Sequence, residues 1–169
     1  DLINSPTLQR LKAVHQQGMP KEYYHLPVFS RFDHSVGVLI LLKSLNASIE
    51  EQIAGLLHDI SHTAFSHLVD WVIGNPSKQD SQDSSYFEVL KNSEIPKILE
   101  NHGFNYKDFE DLNKFELLEK PAPKLCADRV DYALREILVN GDVLLAKEIL
   151  SNLSENNNQI VFSNKEIAE

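Results

Sequence analysis

The sequence predicts an all-α domain with a small β fringe near its C-terminus, and three observations carry that prediction. Apolar residues recur at helical spacing through most of the chain. Serine–acid pairs three residues apart stand at the head of several such stretches. Gly, Pro and Asn cluster between them. A length of 169 residues, 42% hydrophobic and 24% charged, suits one folded domain with a proper core and excludes a disordered or collagen-like chain.

In order, a first helix is predicted over Pro6–Gln17, closed by Gly18. Pro20 and Pro27 make 19–30 a segment of turns and extended chain. Ser30 with Asp33 opens a second helix over 31–45, and Ser48 with Glu51 opens a third over 49–60, with Ile53, Leu56, Leu57 and Ile60 on one face. A fourth helix is predicted over His62–Ile73, stopped by Gly74-Asn75-Pro76 and followed by a polar loop to Ser85. Helices over Ser85–Asn92 and Ile95–Asn101 come next, then an acidic stretch over Asp108–Glu119. Pro121 and Pro123 open a strong helix lasting to Asn140-Gly141, with Val130, Leu134, Ile137 and Leu138 facing the core beside Ala133. A helix over Val143–Leu153 and a strand over Gln159–Ser163 follow, the strand's partner expected outside the chain. Ser163-Asn164-Lys165-Glu166 announces a further helix with three residues left, so the domain 1–169 reads as a piece of a longer protein.

Charge and cysteine content narrow the function classes. The net charge of −9 and the lack of a basic stripe argue against nucleic acid as the main ligand. The single cysteine, Cys126, excludes an internal disulfide framework and fits a reducing compartment. The longest apolar run, Val36–Leu42, is far short of the ~20 residues needed to span a bilayer. A cytoplasmic protein without a membrane segment is expected.

Chemistry concentrates in His58-Asp59-Ile60-Ser61-His62-Thr63-Ala64-Phe65-Ser66-His67-Leu68-Val69-Asp70. His58 and Asp59 follow the apolar Ile53–Leu57 segment, and charge at the end of a buried helix must be paired or hold a metal. Imidazole with carboxylate suits first-row divalent ions and Mg²⁺. Adjacent helix residues point about 100° apart, so further ligands must come from other helices, with His34 and Asp128 as candidates. Asp128, Tyr132 and Arg135 form one stripe at i, i+4 and i+7, which could face metal and phosphate or be an ordinary solvated face.

Three blocks carry a family resemblance: Arg31-Phe32-Asp33-His34-Ser35-Val36-Gly37-Val38, then Gly55-Leu56-Leu57-His58-Asp59-Ile60-Ser61-His62-Thr63-Ala64-Phe65-Ser66-His67, then Ala127-Asp128-Arg129-Val130-Asp131-Tyr132. Together they resemble the helical bundle of the HD-domain metal-dependent phosphohydrolase superfamily, and within it the deoxynucleoside triphosphate triphosphohydrolases. The opening Ile3–Leu11 and the Gln16–Tyr24 segment resemble that branch too. The likeness covers about 2–73 and 121–141.

The resemblance implies one divalent ion (Mn, Fe, Mg, Zn or Ni) held by His34, His58, Asp59 and Asp128. It implies acid/base work by His62 and His67, with Asp70 charging a histidine, and phosphate contacts from Arg31, Arg129 and Tyr132. Gln16 falls near the sugar edge of a nucleotide substrate, and homo-oligomers are the family habit. Relatives carry a further active-site histidine before a run like Phe87-Glu88-Val89-Leu90; residues 68–101 contain none, and Tyr86 is the nearest counterpart. The implied reaction is hydrolysis of a deoxynucleoside triphosphate to nucleoside and triphosphate. Alternatives are hydrolysis of a nucleoside monophosphate or cyclic nucleotide, a nucleotide-binding regulatory domain without turnover, and a single-strand nucleic-acid binder.

Overall fold

The computed structural model describes residues 1–18, 23–64 and 83–168. They are mostly helical, with one two-stranded antiparallel sheet. The chain divides into two compact units, one of Asp1–Ser35 and Leu57–Asp111, the other of Val36–Leu56 and Leu112–Glu169.

In the first unit, α1 covers only Pro6–Gln9, with Ser5 accepting from the Leu8 N–H, and a 3-10 turn follows over Arg10–Ala13. The predicted helix to Gln17 stops there because the backbone finds a long-range partner. The Gln16 N–H donates to the Phe29 carbonyl (3.1 Å) and the Arg31 N–H to the Val14 carbonyl (2.8 Å), with a bridge between His15 and Ser30. Among the described residues this unit also holds α4 (Asp83–Lys91), α5 (Ile95–Asn101) and a 3-10 turn over Tyr106–Phe109 within the acidic stretch. Leu8, Leu11, Leu57, Ile60, Leu90, Ile95, Leu99 and Phe109 are its fully buried apolar side chains among the described residues. Thr7 is tied to Glu94, its N–H and hydroxyl donating to the two carboxylate oxygens (2.8 and 2.9 Å).

Helix α2 (Arg31–Ser44) begins in the first unit and continues into the second; α3 is Ile49–Leu57. Both predicted starts form. The Ser30 backbone and hydroxyl reach Asp33 Oδ2 (3.0 and 2.6 Å), and the Glu51 N–H donates to Ser48 Oγ (3.1 Å). The Glu51 carboxylate does not close its box. It accepts instead from the N–H groups of Leu117 and Leu118 (2.7 and 3.1 Å). Gly55 admits close packing of α3 on α2, since a Cβ there would overlap Leu42 and crowd Val38.

Helix α6 runs Ala127–Val139, so Pro121 and Pro123 precede the helix rather than open it. The N–H groups of Ala127 and Asp128 are taken by the carbonyls of Leu117 and Leu118 (2.7 and 3.4 Å), which fixes where helical bonding starts. After α7 (Val143–Asn152), strand β1 (Leu153–Glu155) pairs with β2 (Ile160–Phe162), Ser154 opposite Val161. The predicted strand therefore has its partner within the chain, across the turn of Asn157 and Asn158, both at positive φ. A last helix, α8 (Lys165–Ala168), is opened by Asn164, whose side chain accepts from the Glu166 N–H (2.9 Å); Ser163 bonds back to Asn152 instead. No helix among the described residues is long and apolar enough to cross a membrane. The predicted fourth helix, 62–73, and the polar loop lie largely outside the described residues; His62–Ala64, its described start, are not helical.

Candidate metal centre

The first turn of α2 carries Arg31 and His34 inward, because the Ser30–Asp33 box sets its start and the Arg31 N–H is fixed on Val14. Opposite them α3 ends at Leu57, three residues earlier than the 49–60 prediction. His58–Ser61 form a turn held by Ile60 N–H to Leu57 O (3.1 Å) and His62 N–H to Asp59 O (3.0 Å). Leaving the helix frees His58 and Asp59 from the fixed angle between helical neighbours, and both side chains turn to one place.

There His34 Nε2 and His58 Nε2 stand 3.3 Å apart. Asp59 Oδ1 is 3.6 Å from His58 Nε2, and Asp59 Oδ2 is 4.0 Å from His34 Nε2. His34 is 0% and Asp59 3% exposed, so solvent does not account for the arrangement. The Arg31 Nη1 group donates to both carboxylate oxygens (3.1 and 2.9 Å), and His62 Nε2 lies 3.0 Å from Oδ1. Burial alone would raise the Asp59 pKa. The charges of His58, Arg31 and His62 and the His62 hydrogen bond outweigh it and hold the carboxyl ionised, well below its usual range.

Two imidazoles and a carboxylate form a donor set for a first-row divalent ion. Donors about 2.0–2.2 Å from one ion, at right or tetrahedral angles, lie about 2.8–3.6 Å apart. The two shorter separations are within that range, and the third needs only a small closure. Ligation takes both imidazoles in their neutral form, and Arg31 then remains as the cation on the carboxylate. The residues present fit the ion.

The structure thus brings together five of the residues singled out in the sequence: Arg31, His34, His58, Asp59 and His62. Gln16 joins them through its backbone, its carbonyl accepting from Arg31 Nη2 (3.3 Å). Its buried side-chain oxygen has no partner among the described residues. Arg31 is 4% exposed and engaged on Asp59 rather than open to solvent. His67 and Asp70 lie outside the described residues. Tyr86 is buried with no hydroxyl partner among the described residues, and burial pushes its pKa up, so it keeps its proton at neutral pH.

On α6 in the second unit, Asp128 is half-buried in the first turn and Tyr132 is exposed. The Arg129 guanidinium lies on the carbonyls of Lys120 and Lys124 and on Glu119. The inward side of this helix differs from the sequence reading: Ala133 and Leu138 are exposed, while Asp131 is buried and paired with Arg135 (2.6 Å). The pair sits against Gly37 of α2, where a Cβ would overlap Asp131 Oδ1 and Arg135 Nη2. The signal that could have shown it is an acid and an arginine four residues apart on a helix. A second residue without an assigned role is Arg10, whose guanidinium donates to the carbonyls of Ile60 and His62.

Comparison with known proteins agrees with this chemistry. The HD domain family model matches residues 31–133. YdhJ of Bacillus subtilis is 43% identical over all of this chain and 53% of its own length. Metal-dependent phosphohydrolase cns2 of Cordyceps militaris is 38% identical over 90% of this chain and 45% of its own. Deoxynucleoside triphosphate triphosphohydrolase SAMHD1 of mouse is 33% identical over 60% of this chain and 19% of its own. The chain spans about half the length of the first two. With a family match over most of its length that includes the His–Asp cluster, the chain belongs to the HD domain family and is homologous to metal-dependent phosphohydrolases.

Proposed function

We propose that this HD domain hydrolyses a nucleotide phosphate ester, with a deoxynucleoside triphosphate as substrate and nucleoside and triphosphate as products. The observation that carries the reading is the buried His34–His58–Asp59 cluster, with its carboxylate held ionised by Arg31 and His62. The triphosphate substrate is supported by the flanking sequence blocks and by the similarity to SAMHD1.

In this reading His34, His58, Asp59 and Asp128 would hold one divalent ion, and the chemistry it would supply when bound is Lewis-acid activation of a phosphoryl oxygen and of water near neutral pH. Water oxygen bonds to the α-phosphorus, the bond from that phosphorus to the sugar oxygen breaks, and the sugar oxygen takes a proton. In this reading the proton transfers fall to His62 and His67, the latter charged by Asp70. Such assistance is typically worth ~10²–10⁴ in rate. Arg31, Arg129 and Tyr132 offset and orient phosphate charge, and Gln16 meets the sugar edge.

The test is hydrolysis of deoxy- and ribonucleoside tri- and monophosphates by metal-stripped protein refilled with Mn²⁺, Fe²⁺, Mg²⁺ or Zn²⁺, with Asp59→Ala as control. Nucleoside plus triphosphate, absent with the variant, is the expected result. Phosphate released only from monophosphates moves the substrate class, and nucleotide-dependent stabilisation without product points to a binding domain.

A further inference from the structure

We propose that Arg10 is a positioning residue for the metal centre, acting through the backbone of the turn that presents His58, Asp59 and His62. It rests on the metal-centre reading above.

The turn follows the end of α3, where carbonyl groups lose their intrahelical partners. Two of the carbonyls beyond the helix, those of Ile60 and His62, point to one guanidinium: Arg10 Nη1 donates to His62 O (2.9 Å) and Nη2 to Ile60 O. The fork holds the carbonyls one and three residues beyond Asp59. Arg10 is an exposed residue overall, but its guanidinium tip is partly buried, and this lowers its pKa from the ordinary arginine value. Desolvating that charge calls for a partner, and the paired carbonyls are it.

The placement links the N-terminal segment to the site at two points. At residues 14–16 the backbone pairs with 29–31 and leads to Arg31, which grips the Asp59 carboxylate directly. At residue 10 the same segment grips the backbone on the far side of Asp59. One arginine orients the side chain and the other fixes the peptide frame it hangs from. Lysine cannot replace the second, because a single ammonium does not present two parallel donors in one plane.

The experiment measures Mn²⁺ affinity by competition with a chromogenic chelator, alongside thermal unfolding of the metal-free protein. It compares the wild-type chain, Arg10→Lys, Arg10→Met and Glu94→Gln. Glu94 lies in the same unit and anchors the same N-terminal segment through Thr7, away from the cluster, so it reports general loosening. The expected result is ~10–100-fold weaker Mn²⁺ binding by both Arg10 variants, the usual cost of losing an outer partner of a metal site. Glu94→Gln keeps wild-type affinity even where its unfolding temperature falls as far. Wild-type affinity in Arg10→Lys overturns the proposal, as does a loss of affinity that tracks unfolding temperature across all the variants. A wild-type chain that takes up no Mn²⁺ overturns the metal-centre reading itself, which separates that failure from a failure of Arg10.

Discussion

Asp59 and Asp131 are both buried carboxylates paired with arginine, 3% and 8% exposed, yet they are built differently. Asp131 takes Arg135 from its own helix, four residues on, and the pair packs against Gly37. Asp59 takes Arg31 from 28 residues away, then His62, with His34 and His58 closing the remaining side. One arginine suffices to balance one carboxylate. Around Asp59 the chain adds three imidazoles, more donors than charge balance requires, and two of them stand with their nitrogens facing each other. A local pair that fills space is a packing device; a carboxylate on which distant segments converge with surplus ligands is a site.

The largest effect that separates the two is expected from Asp59→Asn. It removes a ligand and leaves Arg31 facing an amide, so Mn²⁺ affinity and hydrolysis fall by at least ~100-fold. Metal-free stability drops by about 3 kcal/mol in denaturant titration, the cost of a buried charge that has lost its partner. Next comes Arg31→Lys, which keeps the charge but loses the fixed fork, with Mn²⁺ binding weaker by ~10-fold in the same competition assay. Gly37→Ala acts on the other pair. The added methyl displaces Asp131 and Arg135 at a cost of about 1–3 kcal/mol, partly offset by ~0.5–1 kcal/mol of helix propensity. Its Mn²⁺ affinity falls by less than that of Arg31→Lys, because the overlap is with Asp131 and Arg135 and not with a residue of the cluster. Equal losses of affinity in Gly37→Ala and Arg31→Lys would erase the distinction.

The smallest effect calibrates both. Burial would raise the Glu94 pKa, but the hydrogen bonds, those from Thr7 first, hold it below the ordinary carboxyl value of 4.5. A depressed folded value stabilises above the unfolded value and is lost as pH falls through the folded one. Solvent screens this carboxylate, so Glu94→Gln costs about 0.5 kcal/mol at pH 7, and the gap to wild type closes in unfolding curves taken progressively below pH 4.5.

How much of this was legible in the sequence depends on range. The starts of α2 and α3 were readable because Ser30–Asp33 and Ser48–Glu51 are local signals, and local bonds form there. Other boundaries were not, because they are decided by partners far along the chain. α1 gives way where Val14 and Gln16 find Arg31 and Phe29, and α6 starts where Leu117 and Leu118 offer their carbonyls. At the site, the ligand residues were nameable from their chemistry and their blocks. The turn that aims His58 and Asp59 was not, since the apolar period runs on through Ile60 as though the helix continued. Asp131 was hidden for the opposite reason: a buried acid interrupts the apolar face that the helical period predicts.

Cys126, immediately before α6, gives the chain a built-in reporter. It is the only cysteine, it is fully buried, and burial, then the nearby Glu119 carboxylate, push its thiol pKa up despite opposing local hydrogen bonds. The reactive thiolate is therefore scarce at neutral pH, and a disulfide reagent can reach the sulfur only when the start of α6 opens. The labelling rate of the untouched protein would thus clock that opening event, two residues from Asp128, without any engineered probe.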